Sequence, residues 1–164
     1  MKIRQMLFSD MPAVWAVQCA CYQQVLEPES IDALEAKRSA SPTSCFVAVN
    51  DDGVQGYLIA IPWLFAQVSS LNDPSCQLPC GADCLYLHDM AISPKMAGQG
   101  IGQMLFSGYQ KIARELGFFK LALTAVGDAE RYWKKLGFTV LDIKLSQQKV
   151  AAYGGQVTYM YQDC

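Results

Sequence analysis

The spacing of apolar positions changes from segment to segment along this chain. "KIRQMLF" (residues 2–8) is apolar enough for a first strand, although it alternates poorly. In "SDMPAVWAVQCACY" (9–22) the spacing lengthens, and Val14, Val17, Cys21 and Tyr22 make a helical stripe. Asp10 stands where a cap belongs, and Pro12 suits the first turn. Residues 23–29, "QQVLEPE", read as a loop. "SIDALEAKRSA" (30–40) reads as a second helix with Ser30 as cap, Ala33 and Leu34 inward, and Ser41-Pro42 as its stop. "SCFVAV" (44–49) and "VQGYLIAIPW" (54–63) flank "NDDG", a strong hairpin signal.

Residues 64–84 carry Pro, Ser, Asn, Asp and Cys without a period; a loop of that length in a compact domain is often functional. "LYLHDMAI" (85–92) is apolar on both sides, as a central strand is. A glycine-rich stretch then leads into a helix over about 100–116, with Ile101, Leu105, Gly108, Ile112 and Leu116 on one face and Gly117 at its end. "FKLALTAV" (119–126) is a strand. "DAERYWKKL" (128–136) is a helix, with Asp128 as cap and Gly137 as stop. "FTVLDIKL" (138–145) and "VTYMYQ" (157–162) read as closing strands joined through "AAYGGQ". The order β-α-α-β-β-β-α-β-α-β-β predicts one mixed α/β domain over residues 1–164. Its central sheet is mostly antiparallel and flanked by helices, with one right-handed crossover from the fourth strand through the third helix to the fifth strand.

Composition narrows the function classes. Of the 164 residues, 52% are hydrophobic and 17% charged, which marks a chain that folds. The formal net charge of −2 and the lack of any basic tract argue against nucleic acid. No apolar run reaches the roughly 18 residues that a membrane helix needs, and "MKIRQMLFSDMP" lacks the apolar core of a signal peptide. The expectation is a cytoplasmic protein without a membrane partner. Cys76, Cys80 and Cys84 form a C-x3-C-x3-C run. Zinc sites use other spacings with a second ligand pair, and the chain's sole histidine is His88. The run is therefore read as free thiols in a surface loop, with no metal.

The stretch "SPKMAGQGIGQMLF" (93–106) carries the chemistry. A helix start leaves backbone N–H groups unpaired and holds a partial positive charge, so an anion binds there without a lysine. Glycines let the backbone approach phosphate oxygens. The alternative is a turn chosen for tight packing alone. No Gly-Lys-Ser/Thr follows, so this is no P-loop; and the stretch lies far from the first βα turn, so it is no dinucleotide fingerprint.

These residues resemble a family. "LHDMAISPKMAGQGIGQMLF" is similar to the acetyl-CoA motif of the GNAT N-acetyltransferases, and "AERYWKKLGF" resembles the family's second signature, A-x-x-x-Y-x-x-x-G-F. The element order matches over nearly the whole chain. The resemblance implies acetyl-CoA as co-substrate. Gly98, Gln99, Gly100, Ile101 and Gly102, with Ala97 and Gln103 at the ends of the loop, would cradle its pyrophosphate. Met90, Ala91 and Ile92 would pair with the pantetheine where the fourth and fifth strands splay. Val126, Ala129 and Trp133 would line the other wall. Three positions depart from the family pattern. Ala97 stands for a preferred Arg or Gln, Val126 for a frequent Asn, and Trp133 for the tyrosine that often protonates the thiolate of CoA. An indole N–H is no usable acid, so Tyr132 or solvent is left to supply that proton.

Transfer to an amine needs the neutral amine, and alkylamines titrate near 10. His88 is the candidate base. The resemblance supports it, since arylalkylamine N-acetyltransferases carry H-x-H where this chain has Tyr86 and His88. The other reading is a histidine that only packs within the sheet. Asp89 would face the opposite side in a regular strand unless a bulge intervened. The fold implied by the resemblance places the acceptor amine, of a small molecule or a peptide, near Tyr22, Glu27, Glu29, Trp63, Phe65 and Tyr153. It leaves a homodimer open. A second function reading is a CoA-binding sensor or partner module with little or no catalysis.

Overall fold

The computed structural model describes residues 1–22 and 26–164. Its elements are β1 (Lys2–Gln5), α1 (Met11–Tyr22), α2 (Ile31–Ala40), β2 (Cys45–Asn50), β3 (Gly53–Trp63), β4 (Cys84–Ile92), α3 (Ile101–Glu115), β5 (Lys120–Val126), α4 (Ala129–Lys135), β6 (Thr139–Val140), α5 (Gln147–Ala152) and β7 (Val157–Asp163). Among the described residues the strands form one sheet in the order β1-β2-β3-β4-β5-β7-β6. Only β4 and β5 pair in parallel; the other pairs are antiparallel. This is the mixed α/β architecture that the sequence predicts.

Both faces of the sheet are covered. On one face Leu105, Phe106 and Tyr109 of α3 and Trp133 of α4 pack on Leu58, Leu85, Leu87, Leu121 and Leu123. On the other, Met11, Val14 and Val17 of α1 and Leu34 of α2 pack on Val47, Tyr57, Ile59 and Ala91. Burial on both sides explains why β4 reads as an unbroken apolar run.

Two irregularities in the sheet create the site. Along β3 and β4, Ile59 stands opposite Asp89 and Ala60 opposite Leu87, so His88 is an extra residue. This β-bulge shifts the alternation by one. Leu87 and Met90 pack toward α3, while Tyr86 and Ala91 face the α1 side. Both His88 and Asp89 make their hydrogen bonds on the α1 side. The second irregularity lies between β4 and β5. They pair only at Leu85–Leu121, Tyr86–Ala122 and Leu87–Leu123, and then part. Past that point β5 stays with β7 and β4 stays with β3.

Several elements differ from expectation. β1 ends at Gln5, and Leu7 and Phe8 are exposed as the chain turns through a 3-10 turn, Phe8–Asp10. Asp10 does not cap α1. Its carboxylate accepts the Leu7 N–H and a two-pronged bond from Arg4. Nor does the Asp128 side chain cap α4. On α3 the buried stripe runs through Ile101, Leu105, Phe106, Tyr109 and Ala113, and Leu116 is exposed. The strand expected over 138–145 shrinks to Thr139–Val140, and α5 forms where no helix was expected, capped by Ser146. The loop expected at 23–29 begins with three residues that lie outside the described ones.

Candidate active site

The parted strands open a cleft of about 780 Å³, part of it open to solvent. One wall is His88, Asp89 and Met90 of β4. The facing wall is Thr124, Ala125 and Val126 of β5 with Ala129 and Trp133 of α4. Gln18 and Tyr22 of α1, the segment Leu26–Glu29, Leu71 of the long loop and Tyr153 close the α1 side.

His88 is held from two directions. Its side chain is fully buried; Nε2 lies 2.6 Å from Glu29 Oε1 and Nδ1 lies 2.7 Å from Ser69 Oγ. Glu29 in turn receives Lys37 Nζ at 3.3 Å and the Asn72 N–H at 2.6 Å on Oε2. Burial pushes the Glu29 carboxyl up, but the charge and hydrogen bond of His88, then the charge of Lys37 and the Asn72 N–H, more than offset it. The result is about 2. An ionised Glu29 accepts, so Nε2 carries the hydrogen, and in the neutral ring Nδ1 accepts from the Ser69 hydroxyl.

Asp89 sits beside this pair through the bulge. Its oxygens accept from Tyr22 Oη at 2.6 Å, Tyr57 Oη at 2.5 Å and Gln18 Nε2 at 3.0 Å. Burial, then the Asp89 charge, hold the Tyr22 and Tyr57 hydroxyls well above the usual phenol range, so both stay protonated donors.

The glycine stretch forms the mouth of α3. A 3-10 turn, Pro94–Met96, leads into Ala97, and Gly98 and Gly100 both adopt φ of +77°. No side chain caps α3, and its first backbone bond runs from the Met104 N–H to the Gly100 carbonyl. The N–H groups of Ile101, Gly102 and Gln103 are thus left without intrahelical partners. A Cβ at Gly98 or Gly100 would meet nothing within 4 Å, so positive φ, not crowding, calls for glycine there, and the loop stays open. These orphan donors and bare backbone fit a phosphate-bearing ligand.

The expected residues fall into two groups. His88, Met90, Val126, Ala129 and Trp133 meet in the cleft. Ala97, Gly98, Gln99, Gly100 and Gln103 line the exposed mouth of α3, with Ile101 buried beneath them and Gly102 partly buried. Ile92 joins the groups, since its Cδ1 lies 3.4 Å from the Cβ position of Gly102. The Ala91 side chain turns to the α1 core, so only its backbone faces the gap. Tyr132 is not in the cleft. It is half-exposed, and its hydroxyl lies 2.6 Å from the Cβ position of Gly102, at the mouth. Trp133 takes the inward position, packed on Phe106 and Phe138. Of the acceptor-side residues, Tyr22, Glu27, Glu29 and Tyr153 line the cleft. Trp63 lines a neighbouring hollow with Lys37 and Ser69, and Phe65 packs edge-on against Tyr159 and Tyr161.

Sequence reasoning missed Ser69, Asn72, Gln18 and Thr124. The first two come from the long loop, whose length alone pointed to a role. The cysteine run is dispersed in environment: Cys76 is half-buried, Cys80 exposed, and Cys84 buried, with burial raising its thiol to about 12. Among the described residues no group of three His, Cys, Asp or Glu could hold a metal ion, and no helix is long and apolar enough to cross a membrane.

The model of the Acetyltransferase (GNAT) family matches residues 11–138. A search of curated protein sequences found no match. Among solved structures, the loading GNATL domain of CurA from Lyngbya majuscula superposes with a TM-score of 0.80 at 13% identity, covering 99% of this chain and 96% of that one. Ard1 from Thermoplasma volcanium gives 0.74 at 15% identity, with the same coverages of 99% and 96%. Rv2747 from Mycobacterium tuberculosis, in complex with CoA and NLQ, gives 0.72 at 16%, covering 100% and 99%.

Proposed function

The chain belongs to the GNAT acetyltransferase family, and on that premise we propose that it transfers an acetyl group from acetyl-CoA to a primary amine. The observation that carries this reading is the alignment of two features: strands that part after Leu87 and Leu123, and an uncapped, glycine-built helix start next to the gap. The N–H groups at the start of α3, from Ile101 to Gln103, with the open backbone of Gly98–Gly100, would hold the pyrophosphate. Backbone groups of Met90 and Ile92, which β5 does not reach, would hold the pantetheine. Val126, Ala129 and Trp133 would wall it. Bound acetyl-CoA supplies the thioester that the amine attacks.

Glu29 and His88 form the proton-accepting pair. The ionised carboxylate stabilises the imidazolium that forms when Nδ1 takes a proton. Nδ1 faces Ser69, which lines the neighbouring hollow rather than the cleft, so Ser69 positions the ring and the incoming proton displaces its hydroxyl from Nδ1. Tyr132 lies at the mouth of α3, and the inward Trp133 cannot act as an acid. Solvent is left to protonate the departing thiolate. A thiol with an ordinary pKa of about 8.5 leaves without an acid, only more slowly.

The test is release of CoA from acetyl-CoA with a panel of amines, for the protein and for His88→Gln and Ser69→Ala. Turnover on an amine is expected. The deficit of both variants should be largest at low pH and shrink as pH nears the pKa of the amine. An unchanged pH profile in His88→Gln would remove the pair from the mechanism. A second reading is favoured by Trp133 in the inward position and by a histidine whose two nitrogens are already paired: a CoA-binding module without catalysis. Tight CoA binding with no turnover on any amine would support it.

A further inference from the structure

The charge inventory of the cleft is one-sided. Three carboxylates line it: Glu27, Glu29 and Asp89. Among the described residues no lysine or arginine does, and Gln23, Gln24 and Val25 carry no positive charge either. The nearest cations are committed elsewhere. Lys37 is buried behind Glu29, and Lys149 Nζ donates to the Val68 carbonyl at 2.6 Å.

The three carboxylates differ in their compensation. Glu29 has Lys37 and His88. Asp89 is 8% exposed and, among the described residues, is ringed only by neutral donors, the two tyrosine hydroxyls and the Gln18 amide. Both its oxygens accept, which is the pattern of the ionised form. A buried carboxylate without a cation lacks its countercharge. Glu27 is exposed at the rim, and no described side chain pairs with it. Gln18 lines the same cleft, and its Oε1 is buried without a hydrogen-bond partner among the described residues. Among the described residues every unsatisfied group that lines this cleft is therefore an acceptor or an anion, and the unpaired Trp63 Nε1 belongs to the neighbouring hollow. Leu26, Leu71 and Tyr153 supply apolar surface between them.

We infer that the acceptor is an amine without a carboxylate: an ammonium-bearing, partly apolar molecule that enters as a cation opposite Asp89 and Glu27. This rests on the acetyl-transfer reading and narrows its substrate class. A free α-amino acid brings a carboxylate that no cation in the cleft can meet and that Glu27 and Asp89 repel. Discrimination against it comes from unpaired like charge, not from shape.

Matched pairs that differ by one carboxylate test this: tyramine against tyrosine, and cadaverine against lysine. Each is titrated by calorimetry into the CoA-loaded protein, so that the result does not depend on turnover. CoA release with the same compounds reports separately on acetyl transfer. The carboxylate-free member of at least one pair is expected to bind at least tenfold more tightly than its amino acid. Glu27→Lys should reduce that preference at least tenfold. Equal or tighter binding of the amino acids, or no binding by either amine, overturns the inference. Binding with the expected preference but without any CoA release would uphold it and count against catalysis instead.

Discussion

At the scale of single residues, the site depends on Glu29. Its carboxylate holds His88, Lys37 and the backbone of Asn72 at once, and the side chains of His88 and Lys37 are buried while Asn72 is exposed. A carboxyl brought from 4.5 to about 2 gives stability that is complete above about pH 4.5 and lost as pH falls toward 2. Glu29→Gln should therefore lower stability near neutral pH by about 3 kcal/mol, because Lys37 keeps its charge and loses its partner. Urea unfolding from pH 7 to pH 2.5 would check this. The gap between the two proteins should narrow as the pH drops, and a gap independent of pH would contradict the assignment. His88 was legible from the sequence, being the sole histidine and on a central strand. Its partners were not, since Ser69 and Asn72 lie in a segment without periodicity. The side on which Asp89 falls was not legible either. A bulge at His88 decides it, and "LYLHDMAI" has no glycine or proline to mark one.

At the scale of elements, the mouth of α3 carries the most information per residue. Gly98 and Gly100 hold a left-handed conformation that other residues adopt at a cost of about 1–2 kcal/mol. Gly100→Ala should cost about that much stability and weaken CoA binding further, because the strain falls on the N–H groups proposed to hold the pyrophosphate. Thermal melts paired with calorimetry would separate the two effects. Equal CoA affinity in the variant would show that the loop is a packing turn. As a turn between a strand and an amphipathic helix this stretch was legible, because its three glycines stand between an apolar run and a helical stripe. The end of the chain was less so. "FTVLDIKL" has a strand-like composition, yet its ladder with β7 is confined to Thr139 and Val140, followed by a single bond from the Leu141 N–H to the Tyr159 carbonyl. Ser146 caps α5, with its Oγ accepting the Lys149 N–H, and that signal stands in the sequence without a strong apolar stripe behind it.

At the scale of the whole molecule, the proposed function rests on a sheet that fails to close. Among the described residues β4 and β5 are the one parallel pair, and three residue pairs join them before each strand keeps to its other neighbour. α3 crosses between them, so its uncapped start sits beside the gap that its two strands leave. Two motifs and an element order made this arrangement readable in advance. The acidic lining of the cleft, without a lysine or arginine among the described residues, was not readable, because it gathers residues from α1, the segment before α2, the long loop and β4. The central claim is that the mouth of α3 and the parted strands together bind the diphosphate and pantetheine of coenzyme A. Calorimetric titration of the folded protein with CoA and acetyl-CoA tests it most directly. Saturable binding at one site per chain is the predicted result, with a dissociation constant on the order of micromolar, about −8 kcal/mol. The absence of any binding heat for either ligand, in a protein whose melt shows it to be folded, would contradict it.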